Sequence, residues 1–460
     1  MVTAPATTVA CAMSSAAVVR VVAHDLLQTP GMPVKSAVFF QWLNTMGKET
    51  TSTVGQTTTK DGKKVPPPKK GMVKTLIGLV GTLLLLIMAL IAYVVLFVYK
   101  PEPKVLKKTG LISTTVLFRH GARAPVDIKN DTMLQQFPNG PGEVTEIGLE
   151  NTYKLGRFLG KRYVDGGFLR SPPLSKQLYF RSRSNNRCLI CGGLVGSAMW
   201  SSDSDPHFTP IPLYAQEKND MILTHRDNCA LEKTRLSKKC GRDPPSMDNW
   251  SEYEGFVYEC IGLDKETNLF KDKDDFARVE GLIQADQNGI TMPKWFVDNR
   301  KEIYKIYNKL YDFIVGVNEF HQPAVLRLKQ GVFMQTLLDN LQKQYDEYKD
   351  TGQVAKRKFT AYSTQDWLIM AFLEALGAST AALDGTMPQY NALIIVELSE
   401  SEGGTGIVEV FYKANHEAEL KDITSSVRGC SKSPCPLATF VGCCDDYKVK
   451  DSKQDCDAST

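Results

Sequence analysis

The sequence predicts an α/β fold: a mixed sheet flanked by helices, with an inserted helical cap and one transmembrane helix before it. Three observations predict it. From residue 110 onward, β-branched apolar runs and amphipathic stretches follow in the order strand–helix–strand–helix, which builds a layered sheet. Between about 220 and 355 the texture changes to long charged and aromatic helical stretches, after which strands return. Ahead of both, Thr75–Tyr99 contains no charged residue, a length that crosses a hydrocarbon core of roughly 30 Å as a helix.

Residues 1–74 are expected to be a cytosolic, disordered segment. The stretch 44–70 is polar and ends in Lys60, Lys63, Lys64, Pro66-Pro67-Pro68, Lys69 and Lys70, a linker composition. A cleaved signal peptide would have an apolar region of about 7–15 residues with a small-x-small site behind it. Ala89 and Ala92 lack that spacing, so 75–99 reads as an uncleaved signal anchor. Six lysines precede it closely against four just after, a bias that leaves the N-terminus in the cytosol. Residues 104–460 would then be luminal or extracellular, making a single-pass type II protein of the secretory or endolysosomal system or the cell surface. Two sequons, at Asn130 and Asn249, agree with that side. Of eleven cysteines, ten follow residue 100, an even number suited to an oxidising compartment. A net charge of only +4 argues against nucleic acid as a partner.

The elements follow in order. Leu111–Arg119 is a β-branched run that reads as a buried strand. Glu146–Tyr163 has helical periodicity, with Ile147, Leu149, Tyr153, Leu155 and Leu159 broadly on one face. Gln177–Phe180 reads as a short strand leading into Arg181, and 187–199 as an apolar helix. In the cap, Trp295–Asn318 and Val332–Tyr348 are examples of the long helical stretches. Strand character returns at Lys358–Ser363, Ala392–Leu398 and Gly406–Lys413. The last two, joined by the Gly-rich 399–405, read as a hairpin.

The chemistry concentrates where the first strand ends. Arg119-His120-Gly121-Ala122-Arg123-Ala124-Pro125 sets two permanent cations beside one imidazole, and guanidinium donor pairs match the oxygens of a phosphate. Gly121 supplies a backbone that turns sharply and lets a ligand come close. Taken alone, an Arg-His-Gly is as compatible with a surface charge cluster. The full R-H-G-x-R-x-P is far more specific, and it resembles the signature of the histidine acid phosphatases, most of all their lysosomal and prostatic members. The resemblance runs over roughly 110–457. It implies a phosphoglycerate-mutase-like sheet with an inserted cap, His120 as nucleophile, and Arg119, Arg123 and Arg181 as phosphate ligands, with Arg187 in the helix behind. It also implies Asp366, in Ala361-Tyr-Ser-Thr-Gln-Asp366, as proton donor, and no cofactor or metal.

Physically, such arginines disfavour the imidazolium, so His120 stays neutral and nucleophilic into mildly acid pH. Attack would give a phosphohistidine that water hydrolyses, and a donor carboxylic acid makes an acid optimum the expectation. The alternative for Asp366 is a helix N-terminal charge at the start of Trp367–Leu376, and the two roles are compatible. One position departs from the family. Gln365 stands where members carry His before that Asp; its amide donates a hydrogen bond but cannot ionise. The expectation is therefore an acid phosphatase acting on phosphomonoesters, slowed at Gln365. The alternative is a catalytically silent pseudophosphatase that binds a phospho-ligand.

His24, His207, His225, His321 and His416 show no metal-ligand spacing, and Cys188-x-x-Cys191 lacks the second pair a zinc site needs. By resemblance, Cys430 pairs with Cys435 and Cys229 with Cys456; Ile283 and Leu393 take the approximate places of a third family bridge. Cys188, Cys191, Cys240, Cys260, Cys443 and Cys444 remain unassigned. The resemblance also allows a homodimer.

Overall fold

In the computed structural model the described residues are 110–126, 131–202, 208–225, 229–270, 275–276, 278–449 and 456, with Leu83, Leu86, Ile87, Met88 and Leu90 nearer the N-terminus. Those five are helical and exposed. The remainder of the expected span 75–99 and the whole of the linker lie outside the described residues. Among the described residues no helix is long and apolar enough to cross a membrane. Residues Met1–Glu102 form one unit and Pro103–Thr460 another.

The second unit holds a sheet built around strand β1 (Leu111–Arg119), buried from Ile112 to its end. The other strands are β2 (Leu178–Arg183), β3 (Leu213–Gln216), β4 (Phe359–Thr364), β5 (Leu393–Glu400), β6 (Gly406–Lys413), β7 (Lys421–Asp422) and β8 (Cys435–Pro436). The order is β3-β2-β4-β1-β5-β6-β7, with β8 also on β6. Strands β1, β2, β3 and β4 pair in parallel; β5 joins β1 antiparallel and continues through the expected hairpin into β6. Side chains alternate between two cores, as a period of two requires. Val116, Phe118, Leu393 and Ile395 enter one, and Leu117, Ile394, Val396 and Leu398 the other.

The first core is covered by α1 (Glu146–Gly160) and α2 (Asn186–Ala198). The buried stripe of α1 is Gly148, Thr152, Leu155, Gly156 and Leu159, whereas Ile147 is exposed and Leu149 and Tyr153 are half-buried. Leu155 and Leu159 lie on the expected face, but the rest of the buried stripe is made by small residues in place of Ile147, Leu149 and Tyr153. A Cβ on Gly148 would stand 2.1 Å from the Ala122 carbonyl oxygen, and one on Gly156 2.6 Å from the Ala198 Cβ. Helix α1 thus packs almost backbone to backbone, which only glycine permits.

Between β3 and β4 the chain forms α3 (Ala230–Cys240), α4 (Trp250–Cys260), α5 (Val279–Gln287), α6 (Lys294–Val315) and α7 (Pro323–Thr351). Helix α8 (Asp366–Leu376) follows β4 directly. These helices share the second core with the sheet: Phe333 of α7 meets Tyr362 of β4 and Phe372 of α8 edge-on, at 5.2 and 5.0 Å between ring centroids. Cysteine Cys229 is joined to Cys456 and Cys430 to Cys435; Cys240–Cys260 and Cys443–Cys444 are further bridges, while Cys188 and Cys191 are free and buried. Ile283 and Leu393 belong to different cores, so they are not facing positions of a lost crosslink.

Candidate active site

Parallel pairing sets Arg119 level with Thr364, so the chain leaves β1 and β4 at neighbouring points on the C-terminal edge of the sheet. Ligands of parallel sheets bind at that edge. His120 follows β1, and Gln365 and Asp366 follow β4. The backbone N–H of His120 donates to the Thr364 carbonyl (3.1 Å), and its own carbonyl accepts from Asn391 (3.3 Å).

The His120 ring is buried, and its Nδ1 lies 2.8 Å from the Gly121 carbonyl oxygen. A carbonyl only accepts, so Nδ1 carries the proton and Nε2 the lone pair. Burial, then the charges of Arg119, Arg187 and Arg123, hold the His120 pKa well below its ordinary value, outweighing the opposing bond to Gly121. Gly121 itself serves a purpose other than the expected ligand approach. A Cβ there would lie 2.4 Å from the Gly148 carbonyl oxygen and 2.6 Å from Thr152 Oγ1, so it is α1 that comes close. The Gly121 N–H donates to Cys191 Sγ at 3.2 Å, which gives one half of the Cys188-x-x-Cys191 pair a structural use. Cys188 Sγ donates to the Thr364 carbonyl at 3.5 Å, and burial pushes its thiol up to about 12.

Each arginine has a distinct tether. Arg119 pairs with Asp366 (Nη2 to Oδ2, 2.6 Å), donates to the Pro388 carbonyl (2.6 Å) and lies over the Tyr390 ring at 4.2 Å. Arg123 reaches into α5, donating to Gln284 (3.0 Å) and Glu280 (3.1 Å). Burial opposes its charge, but Tyr390 and Glu280 outweigh burial and leave Arg123 a firmer cation than usual. Glu280 in turn accepts from Trp250 Nε1 at 2.9 Å.

Arg181 is placed differently from expectation. It pairs with buried Asp220 (2.7 Å) and donates to Gln216 (3.3 Å) and Tyr179 (3.4 Å), and it is not among the leading charges on His120. Arg187 is among them. It is the second residue of α2, whose first turn is capped by Asn185 accepting from the Cys188 N–H (3.0 Å). Burial, followed by repulsion from Arg123, lowers its pKa, and Asp366 acts in the opposite direction. Among the described residues it has no acidic partner in an ion pair, and its Nε is buried without a hydrogen bond. An uncompensated guanidinium at a helix N-terminus is a place for an anion. The sequence signal was present: Ser184-Asn185-Asn186 is a helix start, which sets Arg187 in the first turn.

Asp366 opens α8, with its Oδ1 accepting from the Trp367 N–H at 2.8 Å and Oδ2 on Arg119. Gln365 caps the helix in position only; its side-chain oxygen instead accepts from Trp367 Nε1 at 3.1 Å. A cavity of about 480 Å³ opens beside Arg119 and Tyr390, walled also by Ile147, Tyr304, Tyr307 and Asn415. Of the two sequons, Asn130 lies outside the described residues and Asn249 is exposed.

The model of the histidine phosphatase superfamily (branch 2) matches residues 111–413, from the first residue of β1 to the last of β6. The chain belongs to that superfamily. Among similar proteins is the putative acid phosphatase 1 of Caenorhabditis elegans, 28% identical over 370 residues, covering 76% of this chain and 84% of that one. Rat prostatic acid phosphatase is 25% identical over 358 residues (74% and 88%), and Xenopus laevis lysosomal acid phosphatase 23% over 392 residues (81% and 84%). The solved phytase of Citrobacter braakii has a similar fold, with a TM-score of 0.51 at 14% identity, covering 76% of this chain and 100% of that one.

Proposed function

We propose that this protein is an acid phosphatase that hydrolyses phosphomonoesters through a phosphohistidine on His120. The observation that carries the reading is the state of that ring: buried, ringed by Arg119, Arg187 and Arg123, and with its proton committed to the Gly121 carbonyl. The Nε2 lone pair attacks phosphorus in line and the ester P–O bond breaks. Asp366 gives its proton to the departing oxygen. Water then attacks the phosphohistidine, returns a proton to Asp366 and releases inorganic phosphate, freeing Nε2. Charge spreading over the equatorial oxygens in both steps is met by the guanidinium groups. Arg187 takes the role first expected of Arg181, and Gln365 supplies a neutral donor, so turnover is slowed relative to a site with a cationic donor there.

Residues 75–99 anchor the protein as a type II membrane protein with 104–460 on the luminal or extracellular side. The four disulfides and the exposed sequon at Asn249 support that side.

The test is release of aryl alcohol from 4-nitrophenyl phosphate at pH 5 by the full-length chain, with His120→Ala as control. A His120-dependent rate is expected. Equal rates in the two proteins, with phosphate still bound, would instead identify a phospho-ligand binder.

A further inference from the structure

We propose that Trp367 is the residue that makes Gln365 a phosphate donor; the inference rests on the phosphatase reading above. A glutamine beside a phosphate site has two ends of opposite use. Its NH₂ donates to an anion, whereas its carbonyl oxygen repels one. Nothing in the amide itself chooses between them, because the two rotamers have the same shape. Trp367 chooses. Its indole N–H can only donate, so the atom it meets at 3.1 Å must be the Gln365 oxygen. The NH₂ group is thereby turned away from the indole, and it has no partner among the described residues.

The indole is itself held in place. On one side its ring meets His225 edge-on, with centroids 5.1 Å apart. Its backbone N–H donates to Asp366 Oδ1 at 2.8 Å, so that carboxylate has one oxygen on Trp367 and the other on Arg119. Trp367 therefore orients the two residues that leave β4 together: the side chain of Gln365 through the indole, and the side chain of Asp366 through the main chain. A phenylalanine would keep the second and lose the first. Gln365 is buried and its side chain makes no capping bond to α8, so the helix places no competing demand on the amide.

The experiment is a double-mutant cycle in the full-length chain, with Trp367→Phe made in the wild type and in a Gln365→Ala background. The readouts are kcat/KM for 4-nitrophenyl phosphate and the dissociation constant of inorganic phosphate by titration. Loss of the indole N–H should cost roughly fivefold in both quantities in the wild type, the worth of one hydrogen bond. It should cost nothing once Gln365 is alanine. An equal loss in both backgrounds would show that Trp367 merely supports the fold, and no loss in the wild type would remove the idea altogether. A second variant guards against misfolding. Gln365→Glu keeps an oxygen for the indole but offers phosphate a carboxylate, so phosphate affinity should fall while Tm holds; unchanged affinity would overturn the proposal. Should His120→Ala leave hydrolysis unchanged, the phosphatase reading fails, but the phosphate titrations still decide the role of Trp367.

Discussion

Exchanging the fates of Arg181 and Arg187 is the sharpest test of the site. Arg187→Met removes a half-buried cation that has no acidic partner among the described residues and acts directly on His120. If it binds the transferring phosphoryl group, its loss should lower kcat by about 10²–10³, the cost of one donor aimed at developing charge. Because it has no salt bridge to break, its removal should leave stability nearly unchanged or slightly improved, since Arg123 loses a repelling neighbour. Arg181→Met should do the reverse. Asp220 is only 2% exposed, and without Arg181 it keeps the backbone N–H groups of Ile222 and Leu223 but not its counter-charge. Breaking that pair should cost up to about 3 kcal/mol, the low end for a buried pair, with kcat of the folded protein little altered. Steady-state hydrolysis of 4-nitrophenyl phosphate and urea unfolding, run on both variants, separate the two effects. A large drop in kcat for Arg181→Met at unchanged stability, with Arg187→Met fully active, would refute the placement.

The same geometry sets three more outcomes. Gln365→His should raise kcat on an aryl phosphate at pH 5, because a donor able to ionise then faces the phosphoryl group; an unchanged kcat would mean this position does not limit turnover. The His120 pKa is lowered on folding, so below about 6.5 the unfolded chain binds the extra proton and stability falls with decreasing pH, being fully present above that value. Urea unfolding of His120→Asn should therefore lose up to about 1.4 kcal/mol less per pH unit on acidification than the wild type. Gly148→Ala should destabilise by about 1–3 kcal/mol and lower activity, since its Cβ would press into the Ala122 carbonyl within the His120 loop; an unaltered unfolding midpoint would contradict the close packing.

What was legible in the chain is what short-range periodicity encodes. Strand β1, the β5–β6 hairpin and helix α8 were readable because buried strands and helices repeat apolar residues at fixed intervals. The face of α1 was read only in part for the same reason: Leu155 and Leu159 are buried as expected, but counting apolar bulk also favours Ile147 and Tyr153, while the helix is pulled in by Gly148, Thr152 and Gly156. Arg181 and Arg187 are six residues apart on a strand and on the helix that follows, and a motif match does not say which one turns toward His120. Contacts such as Arg123 to Glu280 and Gln284 join residues more than 150 positions apart, and no local pattern announces them. The Cys240–Cys260 bridge was equally hidden, since an even count of thiols does not name partners.

The tether between Arg123 and α5 has a consequence for how such an enzyme diversifies. Helical insertions are the natural place to remodel a binding cleft, because they lie outside the strands that fix the reacting groups. Here that freedom is bounded at one point. Glu280 and Gln284 fasten the Arg123 guanidinium, so redesign of α5 for a new leaving group has to leave those two positions alone.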